Sequence, residues 1–207
     1  MKTLALEFSS SRRSVAVLDG DSILAEQGEA GGELVPPLTL VERTLAAARV
    51  ARGAIECVVV GLGPGSYTGI RGAIALAQGW QLANGVKLLG VDSATAVAAQ
   101  ARSEKISGDF CVVIDAQRGE FYVAGSAPEQ VLRLVTADEM KLLAASGALL
   151  VGPEVTKWFP GAREIFPTAS ALGLLAANRT DFVAGENLEP VYLRATTFVK
   201  AAPARVI

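Results

Sequence analysis

Histidine is absent from all 207 residues. Without imidazole there is no Ser-His-Asp or Cys-His nucleophile system, no H-E-x-x-H zinc site and no histidine proton shuttle. Cysteine is nearly absent too: Cys57 and Cys111 each sit at the head of an apolar, β-like segment, without C-x-x-C spacing. They read as two buried free thiols rather than a disulfide or a metal pair. No uninterrupted apolar run approaches the ~20 residues that cross a bilayer. Yet the chain is 51% hydrophobic, with mean hydropathy +0.38, so the surplus is expected in a large core or on a partner surface.

Concentrated positive charge is missing as well. Net charge is −2 and no Lys or Arg cluster forms, which argues against a chain that grips nucleic acid alone. The first residues, Met1 to Glu7, meet a charge too soon for a signal peptide and alternate like a strand, so the expected compartment is the cytoplasm, with no membrane contact.

The organisation that remains is mixed α/β. Residues 2–8, 13–18 and 22–27 read as three strands, with Asp19-Gly20 as a hairpin signal: an antiparallel meander. A helix is expected over 34–48, with Leu34, Leu38, Val41, Leu45 and Ala48 on one stripe and Leu40 and Ala47 on a second face. Apolar on two sides, it needs more than one packing partner. Strands follow at 57–62 and 86–91, and Asp92-Ser93 can cap a helix to about 102. The polar stretch 102–109 is the natural lobe boundary, giving lobes 1–105 and 106–207. The second lobe restarts with a hairpin at 110–115 and 120–125. A weaker strand near 130–135, a helix at 137–145, a strand at 148–152 and a helix at 168–178 follow.

The most informative segment joins the strand at 57–62 to a helix that begins near Ile70. It holds Gly63, Pro64, Gly65, Ser66, Tyr67, Thr68, Gly69 and Arg71. Free N–H groups and the macrodipole at a helix start favour an anion, while Ser66 or Thr68 as N-cap accounts for the same pattern. The P-loop pattern fails, since Ile70 and Arg71 follow Gly69 where Lys and Ser/Thr belong. The dinucleotide fingerprint fits better: Gly63 and Gly65 match and Asp92 closes the next strand, but Thr68 stands where the third glycine permits close packing. Further along this helix, Gly69, Gly72, Ala73, Leu76, Gly79 and Ala83 place small groups on one face, which suits either core packing or close approach by another helix.

With the opening meander and the 63–71 motif, Asp-Ala-Gln-Arg-Gly-Glu-Phe-Tyr at 115–122 and Glu-Pro-Val-Tyr-Leu-Arg at 189–194 complete a set that resembles the bacterial TsaB family, also called YeaZ, over nearly the whole length. The resemblance implies a two-lobed fold of the actin, Hsp70 and sugar-kinase (ribonuclease H-like) type. It implies work in the synthesis of threonylcarbamoyladenosine beside the anticodon of tRNAs that read codons beginning with A. In that family TsaB carries no catalytic residue. It pairs through helices of its first lobe with TsaD, the catalytic, metal-holding paralogue, in a complex with TsaE, and meets tRNA only through that complex. Nucleotide-binding members of the superfamily carry Asp-x-Gly-x-Thr in the first hairpin turn; this chain has Glu7, Phe8, Ser9, Ser10 and Ser11 there, with no glycine and a longer acid. The expectation is a degenerate site in which Glu7, Ser9, Ser10 and Asp115 are remnants. No metal or tightly bound cofactor is expected, and ATP with magnesium would bind only in the complex. The expected partner face is Leu38, Val41, Leu45, Gly72, Ala73, Leu76 and Gly79, open to TsaD or to a second copy of the chain. Tyr192 and Arg194 read as tethers returning the tail to the first lobe. An autonomous ATPase or small-molecule kinase of the same fold and a dinucleotide enzyme are the alternatives.

Overall fold

A computed structural model of the chain describes residues 1–31, 35–126, 131–191 and 193. Leu34, Tyr192 and Arg194 lie outside the described residues. Two five-stranded sheets carry the fold. In the first, β1 (Lys2–Glu7), β2 (Arg12–Asp19) and β3 (Ser22–Ala30) form the antiparallel meander, and β4 (Cys57–Gly61) and β5 (Lys87–Val91) extend it in parallel, in the order β3-β2-β1-β4-β5. The second sheet repeats this plan with β6 (Phe110–Asp115), β7 (Glu120–Gly125), β8 (Arg133–Thr136), β9 (Leu149–Gly152) and β10 (Arg163–Glu164), ordered β8-β7-β6-β9-β10. Two sheets of one topology make a two-lobed α/β fold of the ribonuclease H-like, actin and sugar-kinase type. Neither the residues of one half nor those of the other repeat in sequence, so the duplication is visible only in the backbone.

Alternation along the strands divides the first core in two. Leu4, Leu6, Val15, Val17, Val58 and Val60 face one layer, covered by α1 (Pro37–Ala48) and α2 (Tyr67–Asn84). Ala5, Ala16, Leu18, Cys57, Val59 and Leu89 face the other, covered by α5 (Ala169–Ala176). The small groups on that second face let α5 approach closely. A Cβ on Gly173 would run into the Leu18 side chain. In the second lobe, Val113, Phe121, Val123, Val135 and Leu150 pack with Met140 of α4 (Ala137–Ala145). The opposite face of that sheet rests on α3 (Ser93–Ser103), through Ala94, Val97, Ala98 and Ala101.

Helices are therefore exchanged between the halves. α3 follows the last strand of the first sheet yet covers the second, and α5 follows the second sheet yet packs on β1 and β2. The Ser14 hydroxyl, buried on β2, accepts from the Ala169 amide that starts α5 at 2.8 Å. The returning segment is held on α2 by two glutamines: Gln78 Nε2 donates to the Gly185 carbonyl at 2.8 Å, and Gln81 Oε1 accepts from the Gly185 amide at 2.9 Å. Arg179 reaches the Gly90 carbonyl at 3.0 Å while Asp181 holds its guanidinium, a pair that keeps the Asp181 carboxyl down at about 2.

Helix boundaries follow local chemistry. Pro37 opens α1, where its missing N–H costs nothing, and Arg49 ends it in the left-handed conformation. Ser66 caps α2 by accepting from the Gly69 amide, and Gly85 ends it at φ 67°. Asp92 caps α3, and a reciprocal Thr136–Glu139 box opens α4. Both thiols are free, and burial pushes Cys57 up to about 11.

Candidate functional site

Between the lobes lies a cleft of about 790 Å³. The first lobe contributes Ser9, Ser10 and Ser11 from the β1–β2 turn and residues 65–69 at the start of α2; the second contributes Asp115, Gln117, Pro153 and Glu154. The 63–71 motif thus borders the cleft, and its glycines have a packing reason. Gly65 sits at φ 147°, and a Cβ there would collide with the Ser9 backbone; one on Gly69 would collide with the Phe8 carbonyl. The Ser66 amide donates to the Ser9 carbonyl at 2.7 Å. The motif is folded against the first hairpin turn, backbone on backbone. The Gly63–Pro64 bond is cis.

Glu7 is not on the cleft surface. It is fully buried at the end of β1, beneath the turns. Its Oε1 accepts from the Ser9 amide at 2.7 Å and its Oε2 from the Ser93 hydroxyl at 3.0 Å. Ser93, also fully buried, accepts from the Gly63 amide at 3.2 Å and donates its own amide to the Gly63 carbonyl at 2.7 Å. Gly61 leaves the space the Glu7 carboxylate fills. Burial raises the Glu7 pKa above its ordinary 4.5, Asp92 adds to the rise, and the Ser9 and Ser93 hydrogen bonds oppose it.

Asp115 does face the cleft, half-buried at the end of β6. Its two oxygens accept from the Gln117 amide and from Gln117 Nε2, each at 2.8 Å. Both acids that a magnesium–nucleotide would need are thus engaged, one out of reach. Ser10 is turned back on its own loop, donating to the Arg12 carbonyl at 2.9 Å. Asp92, which the dinucleotide fingerprint would place on a ribose, spends its carboxylate on the Thr95 amide at 2.8 Å and the Thr95 hydroxyl at 2.5 Å. Among the described residues no three His, Cys, Asp or Glu side chains gather as metal ligands. The residues present do not fit a magnesium–nucleotide at this cleft.

The expected partner face divides. Val41, Leu45 and Ala73 are buried in the first lobe's own core, so their side chains are already covered. Leu38 is 43% exposed, Leu76 packs only at the core's edge, and a Cβ on Gly72 or Gly79 would meet nothing within 4 Å. The outward row of α2 therefore runs from Gly72 through Ala75, Leu76 and Gly79 to Leu82, which is 89% exposed, and Ala83. At its start the Arg71 guanidinium lies 5.2 Å from the centre of the Tyr67 ring. Leu82 went unremarked in the sequence, although it falls on the same i, i+3, i+7, i+10 row as Gly72, Ala75 and Gly79. Ser93 read there only as a capping residue; nothing local to residue 93 points to Glu7.

Residues 36–146 match the family model described as TsaD: tRNA N6-adenosine threonylcarbamoyltransferase, more than half of the chain. The tRNA threonylcarbamoyladenosine biosynthesis protein TsaB of Escherichia coli (strain K12) is 26% identical over 239 aligned positions, covering 99% of this chain and 100% of that protein. The chain belongs to the TsaD family, in its TsaB (YeaZ) branch. The structure of YeaZ from Pseudomonas aeruginosa superposes with a TM-score of 0.77 at 26% identity, covering 93% of this chain and 99% of that one. Alignment over nearly the full length of both relatives means that the two-lobed architecture is shared with them.

Proposed function

We propose that this chain is a non-catalytic subunit in the synthesis of threonylcarbamoyladenosine in tRNA. It binds a TsaD-type catalytic partner through the outward row of α2 and Leu38 of α1. TsaE joins that complex, ATP and magnesium bind within it, and tRNA is reached only through the partner. The same face pairs two copies of the chain when the partner is absent, and the work is cytoplasmic. One observation carries this reading: α2 presents a continuous row of small and apolar groups, Gly72, Ala75, Gly79 and Leu82, that no side chain among the described residues covers. Small residues permit close helix approach, and a largely apolar patch of this kind marks an interface. The burial of Glu7 away from the cleft and the hold of Gln117 on Asp115 support the absence of catalysis.

Gly72→Leu and Gly79→Leu test it. Both side chains would point into open space, so the variants fold, while a helix that approaches α2 closely is pushed off. In co-purification with TsaD and TsaE, scored for complex and for modified tRNA, each variant loses about tenfold or more in affinity, the cost of overpacking a close interface. Unchanged affinity would sink the assignment. The alternative, an autonomous ATPase or kinase, draws on the size of the cleft and on the start of α2 at its edge; tight binding of magnesium–ATP to the isolated chain in calorimetry would restore it.

A further inference from the structure

The buried acid Glu7 has no part in the proposed function, and its surroundings are unusual. It sits where three pieces of chain meet: the turn after β1, the 63–65 turn before α2, and the first residue of α3. Among the described residues no salt bridge reaches it. β2 presents Ser14 opposite it in register, β4 presents Gly61, and α3 presents Ser93 and Asp92. Asp92 is the charged group acting on it, and its sign is the same.

We propose that Glu7 is a proton-operated clamp: protonated, it ties the two turns and the start of α3 into one unit, and ionised, it drives that unit to open toward water. The inventory of donors and acceptors supports the closed state. When protonated, the carboxyl gives its hydrogen to the Ser9 hydroxyl, the other side-chain hydrogen bond acting on it, while Oε1 still accepts from the Ser9 amide, Oε2 from the Ser93 hydroxyl, and Ser93 from the Gly63 amide; every heavy-atom contact is kept. Loss of that proton leaves a charge with no cation beside it and Asp92 facing it, in a site closed to water. Opening at the 63–66 and 93–96 segments gives the carboxylate its hydration. Because the Ser66 amide hangs on the Ser9 carbonyl, the first turn of α2 and the floor of the cleft answer to the same proton.

The sign follows from linkage. Burial and Asp92 raise the native pKa above the ordinary 4.5, so Glu7 stabilises the closed state at low pH, and that contribution is lost as pH rises through the native value. Hydrogen exchange on the full chain, corrected for intrinsic rates and run from below pH 4.5 to neutrality, reads the opening directly. In the wild type, protection of amides 63, 65, 66 and 93–96 falls by up to about tenfold per pH unit between the ordinary value of 4.5 that holds in the open state and the raised native value, the slope of one proton. In Glu7→Gln, whose amide reproduces the protonated pattern, those amides show no such slope. Ser93→Ala removes the hydroxyl that stabilises the ionised form, so the fall starts from lower protection and runs on to a higher pH before it levels off, and it reports even if Glu7→Gln does not fold. A slope that persists in Glu7→Gln, a flat wild-type profile, or a fall that levels off at the same pH in Ser93→Ala as in the wild type overturns the proposal.

Discussion

The two lobes share one strand order and differ in how fully they are closed. The first has strands of five to nine residues, and its helices α1 and α2 each bury four residues. The second ends in strands of four and two residues, and its helix α4 buries a single residue, Met140. Their acids diverge in the same way. Glu7 and Asp115 each end the first strand of a sheet, and each accepts from the backbone amide two residues on, at 2.7 and 2.8 Å. One local motif has been put to two uses: a sealed hub beneath the first cleft wall and a half-open turn brace on the second. The difference teaches that position in the topology does not assign chemistry. What lies above the acid does, and above Glu7 lie the Ser93 hydroxyl and the space left by Gly61.

The comparison is broken most forcefully in the cores. Leu89, at 0% exposure on β5, and Leu150, at 4% on β9, lie on parallel strands of the two sheets. Leu89→Ala costs about 3–5 kcal/mol and Leu150→Ala about 2–3 kcal/mol, the smaller value reflecting a thinner lobe that relaxes more readily. Because α3 and α5 are exchanged between halves, both losses appear in one cooperative transition, followed by urea unfolding with two spectroscopic probes. Two separable transitions would mean that the lobes are independent and the exchange of helices is energetically minor.

Next come the glycines at the ends of the equivalent parallel strands. A Cβ on Gly152 meets the Val113 carbonyl, which is backbone within a sheet; a Cβ on Gly61 meets the Glu7 side chain. Gly152→Ala and Gly61→Ala each cost about 1–3 kcal/mol, the range of overpacking. The mutant pair then separates the lobes: in Gly61→Ala the penalty shrinks when Glu7→Ala clears the space, whereas no side-chain truncation relieves Gly152→Ala. Equal relief in both, measured as double-mutant cycles, would contradict the geometry.

Much of this fold was legible in the residues. The meander, the strand-turn-helix at 57–84 and the cap at Asp92 follow from alternation, Gly-rich turns and N-cap chemistry, and each lies within a residue or a few of its expected bounds. The helix foreseen from residue 34 begins at Pro37 because proline fixes the first turn. What sequence reading could not resolve was depth. Val41, Leu45 and Ala73 share a periodicity with Leu38 and Gly72, but only the tertiary packing decides which of two apolar faces the sheet covers. Glu7 likewise read as a weakened cleft acid, since its burial depends on Ser93, 86 residues away, and on the absent side chain of Gly61.

The smallest effect belongs to the acid of the second lobe. Asp115 braces a turn in which Gln117 and Arg118 both hold positive φ, at 64° and 60°, a conformation that non-glycine residues adopt at some cost. Its partners sit at an exposed turn, so water replaces them when the carboxylate is removed. Asp115→Ala therefore costs about 0.5–1.5 kcal/mol, one ordinary hydrogen bond's net worth, and raises exchange only at amides 117–120. Glu7→Ala, made at the equivalent place in the first lobe, leaves the Ser9 amide and the Ser93 hydroxyl buried without an acceptor and costs about 2–3 kcal/mol more. A comparable loss at the two positions, read by urea denaturation, would mean that Glu7 is no more enclosed than Asp115. The contrast between a sealed and an open acid would then have no energetic content.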